Sequence, residues 1–379
     1  MQFRDVIGQE AVKERLINSS RESRVSHALL FFGMPGSGVL PMARAFAQYL
    51  NCESPLEMDS CGQCGSCRRA AKMVHPDIHF VYPVVTGVVK NPKSVDFVED
   101  WRQQMIPDPY MSLNDWVDVL TGGEAKTKQG NIPVEEAQDI IHKISLKAFE
   151  GKYKVIIIWM PEKMPPPTAN KLLKSLEEPP DDTVFILASE ARDQLLATIL
   201  SRTQLVKLNR LSDSEIAEGL EQGFGIPAPE ALNIARLADG NYSLALELAG
   251  RETGNGSHEE MFLNWMRLCF NPLKTMDKLL LWVEGMAAEG REQQKQFLAA
   301  NLQVLRECLL VNVADGAMVK LEDTQRVAIQ KFLPFVNLNN VDDFAAALTE
   351  AAYHLERNAH AKILFLDLSL KISSVLQKK

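Results

Sequence analysis

The chain has 379 residues, which exceeds one ordinary domain and predicts two to four domains of about 100–200 residues each. No run of about 18 uncharged apolar residues is present, so a membrane span is excluded. The first residues lack the basic and apolar regions of a signal peptide, and we expect a cytoplasmic protein. Lys and Arg total 41 against 49 Asp and Glu, a net charge of −8. This balance argues against a free-standing binder of nucleic acid, although a small basic patch stays compatible with it.

The first 208 residues alternate short apolar runs with helical periodicity. Strands are predicted at 28–32, 78–82, 155–159, 184–188 and 205–208. Most of these runs are apolar at every position, which is typical of strands covered on both faces. Helices are predicted at 39–49, 135–148 and 168–178, the second with Ile140, Ile141, Ile144 and Leu146 as its apolar side. The alternation predicts a parallel α/β sheet.

The strand-like runs end near residue 208, and two helical regions follow. Short helices at 212–222, 227–237 and 243–248 predict a small helical domain over 209–250, and residues 251–258 form a polar linker with two glycines. Residues 259–379 predict an all-helical domain, with helices at 262–270, 273–284, 291–313, 324–332, 341–358 and 362–376. Residues 86–132 contain several Gly and Pro and few apolar periods. They are interpreted as a long insertion that is partly a mobile loop.

A glycine loop follows the first predicted strand and opens the first helix of this region. Gly33 and Gly38 keep the spacing of the phosphate-binding motif G-x-x-x-x-G-K-[ST], and Gly36 lies between them. Val39 replaces the lysine that would reach the β- and γ-phosphates, and Leu40 replaces the hydroxyl that would hold magnesium. The loop is therefore a degenerate P-loop. It is either a tight turn without a ligand or a backbone cradle with residual nucleotide binding.

The acidic motif that usually accompanies a P-loop is missing too. After the strand at 154–158, where Asp-Glu would handle magnesium and the attacking water, the chain has Trp159 and Met160. Glu162 comes too late along the chain to substitute directly. Two independent losses in one site predict that the chain does not hydrolyse ATP and binds no ATP productively.

Four of the six cysteines are clustered: Cys52, Cys61, Cys64 and Cys67. Four thiolates at this spacing are typical of structural Zn²⁺ with a closed tetrahedral shell. An Fe–S cluster is the alternative, because four cysteines also serve there. A disulfide pair is less favoured in a reducing compartment. Arg68 and Arg69 follow the cluster and could offset its negative charge.

Four segments together resemble the clamp-loader branch of the AAA+ superfamily. They are Val6-Ile-Gly-Gln9, Ser26-His-Ala-Leu-Leu-Phe-Phe-Gly33, Asn170-Lys-Leu-Leu-Lys-Ser-Leu-Glu-Glu-Pro-Pro180 and Ser201-Arg202-Thr203. The resemblance covers residues 1–250 well and the helical remainder loosely, including Glu356-Arg-Asn-Ala359. It implies an AAA+ α/β domain over 1–208 with a zinc module near 52–67 and an insertion near 86–132. A helical lid over 209–250 and a helical collar for oligomerisation over 259–379 complete the implied fold.

The same resemblance implies a function. With a degenerate P-loop, the chain is similar to a rigid, non-hydrolysing ring subunit that works beside gamma/tau ATPase subunits and a delta subunit. That ring opens a sliding clamp and places it on primed DNA for a replicative DNA polymerase. The second sensor arginine of the family would fall near Ser243 and is absent, which is consistent with an unused site.

Arg202 is the candidate catalytic residue. The resemblance implies that its guanidinium reaches the ATP of a neighbouring subunit, where such an arginine finger raises the rate by about 10³–10⁵. The alternative is a surface arginine in a turn with no catalytic role. Lys171 and Lys174 could face DNA phosphates from their helix. Two other functions stay open: an ATP-hydrolysing gamma/tau-like subunit, which the lost lysine disfavours, and a zinc-ribbon nucleic-acid binder, which the acidic balance disfavours.

Overall fold

The computed structural model describes residues 1–87, 89–122, 130–250, 258–313, 332–337, 340–357 and 359–376. It divides into two compact units, residues 1–250 and residues 251–379. Most of the predicted linker at 251–258 and of the predicted helix at 324–332 lies outside the described residues, as does Asn358 of the segment 356–359.

A five-stranded sheet organises the first unit. Its strands are β1 (Ala28–Phe32), β2 (Ile78–Val81), β3 (Lys154–Trp159), β4 (Thr183–Ser189) and β5 (Gln204–Lys207). They lie in the order β2-β3-β4-β1-β5, and every pair is parallel, with Leu30 opposite Leu187 on one side and Leu205 on the other. The prediction of a parallel α/β sheet is confirmed.

Both faces of the sheet are covered, which explains the uninterrupted apolar runs. Side chains alternate between two cores, so that Leu29 and Phe31 belong to one and Ala28 and Leu30 to the other. The helices of this region are α1 (Glu10–Arg21), α2 (Val39–Leu50), α3 (Gly65–Ala71), α4 (Val98–Met105), α5 (Leu113–Thr121), α6 (Val134–Ser145), α7 (Pro166–Glu177) and α8 (Ala197–Leu200). Helix α2 packs its apolar side chains into the first core, and α6 and α7 pack theirs into the second.

The predicted apolar side of the helix at 135–148 is wrong in part. Helix α6 ends at Ser145, and Ile141 and Leu146 are 39% and 56% exposed. The buried face consists of Ala137, Ile140 and Ile144, which recur at helical spacing and pack on the sheet. Leu146 lies beyond the helix, where the 3.6-residue period no longer applies.

The segment 86–132, which was interpreted as a long insertion and partly a mobile loop, contains helices. It forms a short 3₁₀ helix (Ser94–Phe97) followed by α4 and α5, while Val88 and residues 123–129 lie outside the described part. Trp101 and Trp116 are fully buried, and Trp101 stacks on Tyr82 with ring centroids 3.9 Å apart. Both helices bury apolar residues at helical spacing, Trp101 and Met105 in α4 and Trp116, Val117 and Leu120 in α5, so a short period was present in the sequence and was overlooked.

Three further helices complete the first unit: α9 (Asp213–Phe224), α10 (Ala228–Ala238) and α11 (Tyr242–Gly250). Ser212 begins α9 with a capping box, in which its side chain and that of Glu215 satisfy each other's backbone N–H groups. Gly225 ends α9 in the left-handed region, at φ 68°. The three helices have a core of their own, which includes Ile216, Leu220 and Tyr242.

All regular secondary structure in the described part of the second unit is helical, including a short 3₁₀ helix (Leu333–Phe335). Its helices are α12 (His258–Phe270), α13 (Pro272–Ala288), α14 (Arg291–Val313), α15 (Val341–Glu356) and α16 (Ala361–Leu376). Trp265, Phe297 and Phe365 lie in its core, and the Trp265 indole donates to the Ser369 hydroxyl at 2.9 Å. Among the described helices of the whole chain, none is long and apolar enough to cross a membrane.

The aromatic anchoring of residues 94–121 gives a first prediction. Trp101→Ala should lower the free energy of unfolding by about 3–5 kcal/mol, because it leaves a large cavity beside Tyr82 and Trp116. Urea unfolding of the full chain measures this. Val95→Ala is the control, because Val95 lies in the same segment and is 51% exposed. Equal midpoints for the two variants would show that this segment is not part of the core.

Candidate functional site

The glycine loop is a turn between a strand and a helix, which is the place of a phosphate-binding loop. It connects β1 to α2, with Gly36 at φ 71° and Gly38 at φ 92° as the residue that caps the helix. The Gly36 carbonyl accepts the Tyr242 N–H at 3.3 Å, and a Cβ on Gly36 would lie 2.6 Å from that nitrogen. Glycine is therefore required here both by φ and by the close approach of helix α11.

The residues that replace the lost catalytic groups are core residues. Val39 and Leu40 are each 2% exposed, and Trp159 and Met160 are 2% and 3% exposed. All four belong to the core on the α2 face of the sheet, and Trp159 packs on Trp101 with centroids 5.2 Å apart. The first turn of α2 and the end of β3 thus present apolar groups where lysine, hydroxyl and carboxylates would be needed.

Gln9 joins the amino-terminal segment to the glycine loop and to the chain that leads into α9. Its side-chain amide donates to the carbonyls of Ser37 at 3.2 Å and Asn209 at 2.6 Å, and its oxygen accepts the Asn209 N–H at 3.0 Å. Segment 6–9 is one of the four that resemble the clamp-loader branch, and these hydrogen bonds show that its Gln9 holds the glycine loop and the Asn209 backbone together.

Tyr110 lies against the loop and was missed by the sequence analysis. Its hydroxyl accepts the Ile7 N–H at 2.9 Å, and a Cβ on Gly38 would lie 3.2 Å from that hydroxyl. Its ring meets the Tyr242 ring edge-on, with centroids 4.8 Å apart. Burial raises the pKa of the Tyr110 phenol well above its usual range. No sequence motif marks this position. The signal that the sequence offered was an aromatic residue within the segment 86–132, which indicates burial but not a partner.

Two carboxyl groups lie beside the loop as well. The Glu162 carboxylate accepts the Glu190 N–H at 3.1 Å, and the other Glu162 oxygen is buried without a hydrogen-bond partner in the described structure. Burial raises the pKa of Glu190 to about 7, and the nearby Glu162 charge raises it further, whereas the Gly36 N–H and Lys163 oppose the shift. The Gly36 end of the loop therefore carries acidic groups, whereas the lysine position of the motif, at the other end of the loop, holds Val39.

Arg202 lies between α8 and β5. Its Nε donates to the Glu177 carboxylate at 2.9 Å, and Nη1 donates to the Thr198 carbonyl at 3.1 Å. The side chain is 30% exposed, and that of Glu177 is 57% exposed. Arg202 precedes its parallel strand, whereas the glycine loop follows one, so the two lie at opposite ends of the sheet. The structure therefore separates Arg202 from the chain's own glycine loop.

The four clustered cysteines converge in space. Their Sγ atoms all lie within 4.8 Å of one another, and those of Cys61 and Cys67 are 3.9 Å apart. Sulfurs around a tetrahedral zinc with bonds of about 2.3 Å are separated by roughly 3.8 Å. The cluster can therefore hold a metal ion with four thiolate ligands. Cys269 and Cys308 are buried in the second unit and take no part.

Backbone N–H groups prepare the cluster for negative charge. Cys61, Cys64 and Cys67 donate their N–H groups to the sulfurs of Cys52, Cys61 and Cys64 at 3.2–3.3 Å. The N–H groups of Gln63 and Cys64 lower the pKa of Cys61 to about 6, whereas burial raises that of Cys67. Arg69 pairs with Glu150 at 2.6 Å, so its charge is directed to a carboxylate.

The cysteine module is fastened to the amino terminus and to α2. The Asp59 carboxylate accepts the N–H groups of Phe3 at 2.9 Å and Arg4 at 3.1 Å. The Gln48 amide on α2 donates to the Ser60 hydroxyl at 2.9 Å. These bonds hold the first residues of the chain in place.

Lys171 and Lys174 are exposed on α7, whose Leu172 and Leu176 are buried.

Comparison with known proteins identifies the family. Residues 8–212 match the family model described as DNA polymerase III, delta subunit. Because this match covers more than half of the chain, the protein belongs to that clamp-loader family. The structure thus defines a parallel α/β protein with a P-loop-type turn, and the family match places it among the clamp-loader subunits of DNA polymerase III.

Individual relatives include two kinds of subunit. The chain is 26% identical over 262 residues to DNA polymerase III subunit tau/gamma of Haemophilus influenzae, covering 68% of this chain and 32% of that protein. It is 26% identical over 235 residues to subunit delta' of Escherichia coli, covering 62% and 58%. The chain spans about a third of the length of the tau-type relatives that it matches.

A solved structure also overlaps the chain. It is a DNA polymerase III gamma-subunit-related protein from Thermotoga maritima, at a TM-score of 0.45 and 13% identity, covering 96% of this chain and 99% of that one.

The cysteine geometry predicts a bound metal. The purified chain should contain one metal ion, and Cys61→Ser should lose it and lower the melting temperature by on the order of 5 °C, because metal binding contributes directly to folding. Elemental analysis measures the content and distinguishes zinc from iron. Cys269→Ala should keep the metal. A folded, metal-free protein with all four clustered thiols titratable would contradict the site.

Proposed function

We propose that the chain is a delta-prime-type subunit of a DNA polymerase III clamp loader, a non-hydrolysing stator. In this role it assembles with gamma/tau ATPase subunits and a delta subunit, and the complex loads a sliding clamp on primed DNA during replication. The observation that carries the proposal is the burial of Val39 and Leu40 at the start of α2, 2% exposed each, where an ATPase needs a lysine and a hydroxyl.

The alternative is an ATP-hydrolysing gamma/tau-like subunit, which the tau-type relatives make worth testing. Hydrolysis would need a cation at the β- and γ-phosphates and a carboxylate for magnesium. Trp159 and Met160 are packed in the core instead, and Trp159 lies on Trp101. A rotamer change cannot restore either group, because the residue types are wrong. The zinc-ribbon alternative explains neither the five-stranded sheet nor the family match.

Arg202 supplies the catalytic role in this proposal. It is remote from the chain's own glycine loop, so a nucleotide phosphate that it contacts would be one bound by another subunit. Its ion pair with Glu177 is partly exposed, and exposed pairs contribute about 0–1 kcal/mol, so the ion pair itself holds the guanidinium only weakly. A guanidinium placed on a transferring phosphoryl group stabilises its charge and is worth about 10³–10⁵ in rate.

The remaining parts have supporting roles in the proposal. Residues 209–250 are a lid domain, residues 259–379 are the collar through which the ring assembles, and Cys52, Cys61, Cys64 and Cys67 bind a structural Zn²⁺. Four thiolates close the coordination shell and leave no position for a substrate. Lys171 and Lys174 are exposed on α7 and could meet DNA phosphates inside the ring, so that the acidic chain need not hold DNA alone.

The isolated chain should show no ATPase activity, and restored clamp loading should require both this chain and a gamma/tau-type ATPase subunit. The physical reason is the absence of the lysine and of the acidic pair. Steady-state ATPase of the chain alone, followed by clamp loading in the reconstituted complex, measures both points. Hydrolysis by the isolated chain would establish the gamma/tau-like alternative, and a complex that loads clamps equally well without the chain would exclude the stator role.

Arg202→Ala should leave folding intact but lower hydrolysis at the adjoining subunit's site by about 10³-fold. In the complex, total DNA-stimulated ATPase falls by the share of that one site, and clamp loading is impaired. Arg24→Ala is the matched control, because Arg24 is an exposed arginine paired with Glu22. Unchanged ATPase and loading with Arg202→Ala would reject the finger.

A further inference from the structure

The segment from Ser94 to Thr121 has no role in the proposed function, yet it packs over the place where a nucleotide would approach the glycine loop, here called the glycine-loop cleft. Trp101 covers Trp159 at the end of β3. The buried Arg44 guanidinium on α2 donates to the Met105 carbonyl at the end of α4. Tyr110, in the turn before α5, lies against Gly38. One segment therefore covers Trp159, which stands where the acidic motif would be, as well as Arg44 on the side of α2 and Gly38 at its start.

The turn that carries Tyr110 is tightly built. The Asp108 carboxylate accepts the Tyr110 N–H at 3.1 Å, and the Asp108 carbonyl accepts the Met111 N–H at 3.3 Å. Met111 is 7% exposed and belongs to the main core of the α2 face. Tyr110 is also 7% exposed but belongs to the core of α9–α11. The neighbouring residues Tyr110 and Met111 thus point into two different cores, and the burial of Met111 holds the Tyr110 side chain toward α9–α11.

Tyr110 is the link between the α/β domain and the helices α9–α11. Among the described residues it is the one fully buried member of that helical core that comes before residue 211. Its ring meets Tyr242 edge-on, and its hydroxyl accepts the Ile7 N–H. Ile7 itself packs on the same helical core. A single side chain therefore contacts the amino-terminal segment, the glycine loop and the lid at once.

We propose that Tyr110 is an internal ligand of the glycine-loop cleft: it occupies the space at the start of α2 and locks helices α9–α11 against the sheet domain. The start of a helix that follows a glycine loop is an anion-binding position, because backbone N–H groups point outward there. Tyr110 fills the approach to Gly38 with an aromatic ring, and it satisfies the Ile7 N–H that an open cleft would leave to a ligand or to water.

The acidic groups at the other end of the loop also oppose the binding of a phosphate. Glu162 and Glu190 lie together beside Gly36, and one Glu162 oxygen is buried without a hydrogen-bond partner in the described structure. Negative charge at this place disfavours a phosphate group. The cleft is thus closed sterically at Gly38 and electrostatically at Gly36, beyond the loss of the lysine.

Hydrogen–deuterium exchange on the full-length chain tests the lock. Tyr110→Ala should speed exchange in residues 213–250 by about tenfold, with β3 and β4 unchanged, because the helices lose a buried ring and a hydrogen-bonded anchor. Tyr110→Phe keeps the ring and loses the bond to Ile7, and it should give a smaller increase in the same residues. Tyr353→Ala, at a tyrosine that is 49% exposed in the second unit, is the matched control and should match the wild type.

The same samples with ATP test the occupied cleft. ATP should leave exchange of the wild-type chain unchanged, because Tyr110 fills the approach to Gly38 and the carboxyl groups of Glu162 and Glu190 lie at the other end of the loop. Three outcomes overturn the proposal: wild-type exchange in 213–250 after Tyr110→Ala, an equal increase in β3 and β4, or slowing of the wild-type lid by ATP.

The inference rests on the proposed function only in taking the nucleotide site to be unused, and the two can fail separately. If Tyr110→Ala exchanges like the wild type while the isolated chain shows no ATPase activity, the lock is wrong and the stator role stands. If the wild-type chain itself hydrolyses ATP, the proposed function fails, whatever the exchange of the variants shows.

Discussion

The structure of the first unit depends on the complete burial of α2. All twelve of its residues, Val39–Leu50, are buried, including the guanidinium of Arg44 and the amide of Gln48. A helix that is enclosed on every side must be covered by several elements, and its polar groups must find partners. The sheet covers one side, the cysteine module and amino terminus another, and the segment 94–121 a third. These parts of the fold are therefore organised around one helix.

That constraint gives the degenerate nucleotide motif a physical meaning. A lysine at position 39 or a hydroxyl at 40 would lie in a region that is now tightly packed, and an ionised lysine without a phosphate partner is costly to bury. Desolvation already lowers the pKa of the buried Arg44 to about 10, although the nearby Asp5 favours its charge. The apolar replacements and the covering segment pack in one core: Trp101 lies on Trp159, and Val39 belongs to the same cluster.

Local sequence patterns predicted the sheet well and the covering segment badly. The runs at 28–32 and 155–159 are apolar at every position, and burial on both faces of a parallel sheet requires that. The cysteines were predictable because their spacing is local. Tyr110 was not, because its hydrogen-bond partner Ile7 lies 103 residues away and its role appears only when the turn is placed beside Gly38. The pairing of Arg69 with Glu150, 81 residues apart, was missed for the same reason.

The parallel sheet also explains how one cleft can be closed without affecting Arg202. Residues that follow strands gather at one end of a parallel sheet, and residues that precede strands gather at the other. Gly33–Gly38, Trp159 and Glu190 belong to the first end, whereas Arg202 and its partner Glu177 belong to the second. Substitutions that fill the first end leave the second end free to serve another molecule. A chain with this topology can fill the glycine-loop end with apolar residues and still carry a partly exposed arginine at the other end, because the two features lie at opposite ends of one sheet.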